Sequence, residues 1–200
     1  MFVGRIIHDK GVFDVLDMAK SIEAQAPGRV QWELCGSGPG LGELRRRQAE
    51  MGLAEVVMIR GWTSPADLRD VHARSHVSIV PTRSSFNEGL AMTAAEAVLA
   101  GRPVITNPVV PALEVLRPAC VEAKTDDVDS YVMAILRLIN DQNHYRILCE
   151  ACADLQGQFY DREQGLRAEP KNIRSVDLAL DGATRIKNRV EFSLSTSMNR

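Results

Sequence analysis

Two carboxylates and two cations are the residues of this 200-residue chain whose types and positions could do chemistry. Glu88 and Glu96 are separated by seven residues in Glu88-Gly89-Leu90-Ala91-Met92-Thr93-Ala94-Ala95-Glu96, a run that is otherwise small or apolar. A charge in such company needs a partner or a task. Gly4-Arg5 and Lys10-Gly11 flank a loop between an apolar run and an amphipathic one. A planar guanidinium fork, a compact ammonium and the backbone donors of a following helix start can together hold two adjacent phosphates. Carboxylates near such a group would be repelled by it. They suit vicinal hydroxyls, such as those of a sugar or a ribose, which donate to both carboxylate oxygens. A third feature, Gly36-Ser37-Gly38-Pro39-Gly40, is first a sharp turn and second a place where backbone can approach a nucleotide. It does not match the dinucleotide fingerprint, because its third glycine is misplaced and Pro39 interrupts the helix entry. Taken singly, each feature has an ordinary explanation: solvated cations in a turn, a tight turn, a carboxylate satisfied by a cap or an arginine.

The elements that must position these residues follow from the apolar pattern. Short apolar runs at Met1–Gly4, Val30–Cys35, Val56–Ile59, Val77–Pro81 and Val104–Thr106 read as strands, with a weaker one near Cys120–Ala123. Between them lie helical patterns: Val12–Gln25, with Val12, Leu16, Ala19 and Ile22 on one stripe; a charged helix through about Met51; a helix capped at Ser64-Pro65 and running to Ser75; and one from near Leu90 to the stop at Gly101-Arg102-Pro103. The loop Asn107–Pro111 is apolar but irregular, and Val128–Asn140 and Asn143–Phe159 complete the helices. Strands that alternate with helices and are themselves continuously apolar predict an α/β fold, a parallel Rossmann-like sheet covered on both faces. Ligands on such sheets bind beyond the carboxyl ends of the strands, where the Arg5–Lys10, Gly36–Gly40, Arg60-Gly61 and Glu88 loops should converge. A helix starting near Leu90 would put Glu96 about 9 Å further along its axis, at the far end of one extended ligand. Residues 1–160 read as this domain, and 161–200 as an atypical, partly disordered tail with a marginal hairpin over Val176–Leu180 and Val190–Phe192.

Composition narrows the function classes. With 24 basic and 26 acidic residues and no long Lys/Arg run, no nucleic-acid groove is expected. No apolar stretch is long enough to span a bilayer, and the polar start is no signal peptide, so the expected location is cytoplasmic or peripheral to a membrane. Cys35, Cys120, Cys149 and Cys152 are too scattered for a disulfide framework. Cys149 and Cys152 have metal-ligand spacing but lie in a helical pattern with no second pair, so no metal site is expected.

In order, Gly4-Arg5, Lys10-Gly11, Cys35-Gly36-Ser37-Gly38-Pro39, Arg60-Gly61, Glu88-Gly89-Leu90, Glu96-Ala97 and Ala100-Gly101-Arg102-Pro103-Val104-Ile105 resemble the donor-binding, C-terminal half of the family-4 retaining glycosyltransferases of GT-B fold, over roughly residues 1–160. The resemblance implies that Arg5 and Lys10 bind the donor diphosphate and stabilise the departing nucleotide. It implies that Glu88 faces the transferred sugar, that the backbone of Gly89 and Leu90 touches sugar or phosphates, that Glu96 holds the ribose, and that residues around Arg60 flank the base. Gly4, Gly36 and Gly38 fall on the donor-binding loops. The family uses a nucleotide-diphosphate sugar as donor substrate, without cofactor or bound metal, and transfers to a sugar or lipid-linked acceptor. A GT-B enzyme closes its site between two such domains, so the chain is expected to be incomplete without a separate N-terminal acceptor domain, or to self-associate. The Thr106–Leu116 loop lacks the glycine pair often found there. A non-catalytic nucleotide-binding or interaction module is the alternative. A dinucleotide oxidoreductase fits less well, since it leaves Arg5 and Lys10 without a purpose.

Overall fold

The structure, a computed structural model, describes residues 1–160; the readings made above for the tail lie outside them. Six short strands alternate with helices: β1 (Phe2–Val3), α1 (Val12–Gln25), β2 (Trp32–Cys35), α2 (Leu41–Glu50), β3 (Val57–Gly61), α3 (Pro65–Arg74), β4 (Ser78–Val80), α4 (Met92–Leu99), β5 (Val104–Thr106), the single turn α5 (Ala112–Val115), β6 (Cys120–Glu122), α6 (Val128–Asn140) and α7 (Gln142–Tyr160). All the pairings are parallel, in two ladders, β1-β2-β3 and β4-β5-β6. Around Met1 the ladders meet: Ile79 N–H donates to the Met1 carbonyl at 2.9 Å, and the Met1 ammonium donates to the Val77 carbonyl at 2.8 Å. The combined order is β3-β2-β1-β4-β5-β6, with direction of travel reversing between β1 and β4. That reversal opens a crevice beyond the carboxyl ends of these two strands.

Helices cover both faces because their apolar stripes demand it. On one face Val12, Val15, Leu16, Ala19 and Ile22 of α1 and Tyr131, Val132, Ile135 and Leu138 of α6 share a core with Phe2, Leu34, Ile79 and Ile105. On the other, Ala94, Ala97 and Val98 of α4 pack with Val80, Val104 and the buried Cys152 of α7, while Val71 of α3 packs on Met1 and Cys35. The Ser64 hydroxyl accepts from Asp67 N–H at 3.1 Å, the expected start of α3.

One local expectation needs correction. Helix α4 begins at Met92, not near Leu90, because Ala91 adopts φ 57°, ψ 74° and cannot belong to a right-handed helix. Gly89 and Leu90 therefore lie on a non-helical approach, and Glu96 sits nearer the helix start, about 6 Å along the axis from Met92. The stretch Asn107–Pro111 is irregular, as expected, and leads into α5. It begins with Asn107, which is fully buried and bonded at both ends of its amide. Its Nδ2 donates to the Thr82 carbonyl (2.8 Å) and to Tyr131 Oη (2.9 Å), and its Oδ1 accepts from Val109 N–H (2.9 Å). One side chain thus ties the ends of β4 and β5 to α6.

Under α3 lies a less comfortable polar group. His72 is 4% exposed and neither ring nitrogen has a hydrogen-bond partner among the described residues. Burial first, then the nearby Met1 ammonium and Arg102, hold its pKa below the usual 6.5. The unfolded chain therefore takes up a proton at His72 that the folded one refuses. The stability contribution is full above pH 6.5 and is lost as pH falls from there through the lower folded value. Burial likewise lowers the Met1 ammonium from 8.0 to about 6, with the same sign between those limits. The urea midpoint is expected to fall from pH 8 to pH 5, and His72→Leu to flatten only the part below pH 6.5. An unchanged slope there would remove His72 from the account.

Candidate functional site

The crevice between the ends of β1 and β4 is built from two loops that are hydrogen-bonded to each other. The loop after β1 ends in a 3-10 turn, His8–Lys10, and then Gly11 at φ 69°, where a Cβ would fall 2.0 Å from the Pro81 carbonyl oxygen. Glycine is required for this loop to reach the end of β4. From the other side, Arg83 N–H donates to the Asp9 carbonyl (2.9 Å) and Ser85 Oγ to Asp9 Oδ1 (2.7 Å). Ser84 donates through N–H and hydroxyl to Asp126, which lowers the Asp126 pKa. The loop carrying Glu88 is thereby fastened at Asp9, Asp126 and, through Asn107, at Thr82.

Lys10 and Glu88 meet inside this frame. Lys10 Nζ donates to Glu88 Oε2, which also accepts from Thr82 Oγ1 at 2.7 Å; the Glu88 side chain is 7% exposed and that of Lys10 18%. Glu88 addresses Lys10 directly with one oxygen, a pairing on which the sequence reading was silent. Oε1 has no hydrogen-bond partner among the described residues. An ammonium has three donors, so Lys10 also retains capacity for another acceptor. Arg5 is exposed and has no carboxylate partner among the described residues. Its guanidinium lies over the Phe86 ring, 5.5 Å from the centroid, and Lys10 Nζ lies over the same ring at 4.3 Å.

The glycine loop after β2 packs edge-on against the loop after β1. Gly36 N–H donates to the Gly61 carbonyl (2.7 Å) and Gly4 N–H to the Cys35 carbonyl (3.0 Å). A Cβ on Gly36, at φ 147°, would meet the Gly4 carbonyl oxygen at 1.7 Å, and one on Gly38 would meet that of Ile6 at 2.5 Å. These glycines let three strand ends approach at main-chain distance. Beside them Gly4, Arg5, Gly36, Ser37, Trp62 and Thr63 line a cavity of about 230 Å³. Trp62 is 73% exposed, a functional candidate that the sequence reading passed over in favour of Arg60. A larger cavity, about 560 Å³, opens at the opposite edge between Arg29–Glu33 and Ser75–Val77, with largely apolar walls. We place the site on the side of the smaller one, which lies beyond the carboxyl ends of β1 and β2 and has Arg5 in its wall.

Glu96 lies on the exposed side of α4 with no hydrogen-bond partner among the described residues, and partial burial raises its pKa. The first turn of α4 has no side-chain cap, and Leu90 and Ala91, just before it, pack against the Val80, Ala94 and Val98 cluster. Arg60 is not brought into the cluster. Its Nε donates to Glu33, which also takes two bonds from Arg74 of α3, so the guanidinium is held back along the strand. Phe86, Thr82 and Asn107 were not singled out by sequence. For Thr82 and Asn107 the signal was position alone, just beyond the ends of β4 and β5; Phe86 lies within the loop after β4.

The match to known proteins bears on this geometry. The model of the family "Glycosyl transferases group 1" matches residues 1–154. The chain belongs to this family. Its fold is that of the C-terminal domain of GT-B glycosyltransferases. The C-terminal domain of the group 1 glycosyltransferase LpcC from Francisella tularensis superposes with a TM-score of 0.70 at 17% identity, over 80% of this chain and 85% of that one. HepE from Anabaena, solved in complex with UDP, gives 0.68 at 20% identity, over 80% of this chain and 44% of that one. Sucrose-phosphate synthase from Thermosynechococcus elongatus gives 0.65 at 24%, over 80% and 40%. The chain thus spans less than half the length of these two enzymes. None of the curated proteins compared matches its sequence significantly. No helix of the described residues is long and apolar enough to cross a membrane.

Two substitutions test the frame. Asn107→Ala leaves the Thr82 carbonyl and Tyr131 hydroxyl buried without their donor, and is expected to cost about 2–4 kcal/mol. Glu88→Gln leaves Lys10 uncompensated in a mostly buried place, and is expected to cost about 2 kcal/mol. Urea unfolding measures both; values under about 0.5 kcal/mol would contradict the roles given to these contacts.

Proposed function

We propose that this chain is the donor-binding half of a retaining glycosyltransferase, and that the crevice between β1 and β4 holds a nucleotide-diphosphate sugar. The observation that carries the reading is the convergence of Arg5, Lys10 and Glu88 on the crevice within a group 1 glycosyltransferase domain. Arg5 offers a planar fork to one phosphate and Lys10 its remaining donors to the other. As the bond between sugar and diphosphate breaks, negative charge grows on the leaving phosphate, and these two cations stabilise it without a bound metal. The start of α4, which has no side-chain cap, leaves main-chain donors for an anion. Glu88, anchored through Oε2, presents Oε1 to a hydroxyl of the transferred sugar. Glu96 accepts the ribose diol.

The base falls to the cavity beside Gly4 and Gly36. Arg60, engaged with Glu33, is poorly placed for it, and the exposed Trp62 supplies a flat face for stacking. UDP in HepE supports a nucleotide of this kind, though at that identity the likeness carries the fold alone. Since full-length relatives are more than twice as long as the matched segment, the acceptor, a sugar or lipid-linked one, is assigned to an N-terminal domain on a connected or separate chain. Turnover is expected only when both halves are present.

Calorimetric titration with UDP, GDP and ADP tests the binding. At least one is expected to saturate the folded chain by millimolar concentration, with Arg5→Ala and Lys10→Ala each weakening it roughly tenfold, the scale of a lost charge-assisted hydrogen bond. A folded chain that binds none of the three would defeat the proposal.

A further inference from the structure

Phe86 has no role in the chemistry above, yet both phosphate-binding candidates rest on it. We propose that Phe86 is a positioning residue, whose ring face holds Arg5 and Lys10 together as one diphosphate clamp. The inference deepens the donor-binding reading and rests on it for the identity of the anion. The two cations come from opposite ends of one loop, and like charges brought to one place repel. The face of an aromatic ring carries the negative end of its quadrupole and attracts a cation within about 6 Å. Arg5 Cζ at 5.5 Å and Lys10 Nζ at 4.3 Å both meet that condition on a single ring.

The ring is itself held in register. Phe86 N–H donates to the Arg83 carbonyl at 3.0 Å, and Arg83 and Ser85 are bonded to Asp9, next to Lys10 in the chain. The ring therefore travels with the loop that carries the cations. Lys10 has a second restraint in Glu88, whereas Arg5 has no carboxylate partner among the described residues, so the ring contact matters most to Arg5. Without it the guanidinium would occupy many rotamers, and binding would have to order it. Two χ angles make phenylalanine a stiff support for two flexible side chains.

If Phe86 were only apolar filling, leucine would replace it; if its ring face is what matters, tyrosine would and leucine would not. The test uses the full chain, Phe86→Leu and Phe86→Tyr, titrated with inorganic pyrophosphate and with UDP. Phe86→Leu is expected to weaken both ligands roughly tenfold, the combined scale of two exposed cation–π contacts, and Phe86→Tyr to stay within about twofold of wild type. A second readout needs no ligand: the Arg5 Hδ and Lys10 Hε protons of the wild type should show upfield ring-current shifts in NMR spectra, lost in Phe86→Leu and kept in Phe86→Tyr. Affinity unchanged in a folded Phe86→Leu, or wild-type protons at ordinary positions, would overturn the inference. Shifted protons in a wild type that binds no diphosphate would support the ring's hold on the cations while defeating the donor reading, so the two failures are distinguishable.

Discussion

The ion pair of Lys10 with Glu88 joins loops that leave two different ladders, and the geometry of the crevice depends on it. β1 is two residues long and β4 three, too short to aim their loops by strand pairing alone. Direction is supplied instead by side chains and close backbone contacts: Gly11 against Pro81, Asp9 with Arg83 and Ser85, Asn107 beneath Thr82. A mostly buried pair contributes little net stability, because desolvation offsets most of the attraction. Its value lies in geometry: with Oε2 committed to Lys10 and Thr82, the other carboxylate oxygen has a defined direction.

The same economy explains the glycines. A loop that must lie at main-chain distance from its neighbour cannot carry side chains there, so Gly36 and Gly38 are imposed by packing before any ligand is considered. The close approach also exposes backbone groups at the crevice. Structural and ligand-binding accounts of this loop are therefore compatible.

Most of the architecture was legible in sequence because it rests on local signals. Apolar runs gave the strands, the stripe Val12, Leu16, Ala19 and Ile22 gave α1, and Ser64-Pro65 gave the start of α3. Arg5, Lys10 and Glu88 could be selected because charge beside glycine and apolar sequence is conspicuous. What stayed hidden depends on contacts between distant residues. Nothing local announces that Phe86 lies under Arg5, that Asn107 spans Thr82 and Tyr131, or that Glu33 draws Arg60 away from the sheet edge. The start of α4 was misplaced for a different reason. Leu90 and Ala91 are good helix formers, and propensity yields to packing when the two disagree.

Ala91 shows what that disagreement is for. A non-glycine residue at φ 57° costs about 1–2 kcal/mol, and alanine has no polar group to offset it. The conformation persists because Leu90 and Ala91 are packed against Val80, Ala94 and Val98, and because the Ala91 carbonyl accepts from Ala94 N–H at 2.8 Å. A helix that instead began at Leu90 would run its first turn through the space now occupied by the approach from Glu88. Its free N–H groups would then start two residues earlier, away from where α4 now presents them. The kink lets the chain turn from the segment that carries Glu88 into a helix start that has no side-chain cap. Strain at one alanine is thus the consequence of packing Leu90 and Ala91 into the core before the helix begins.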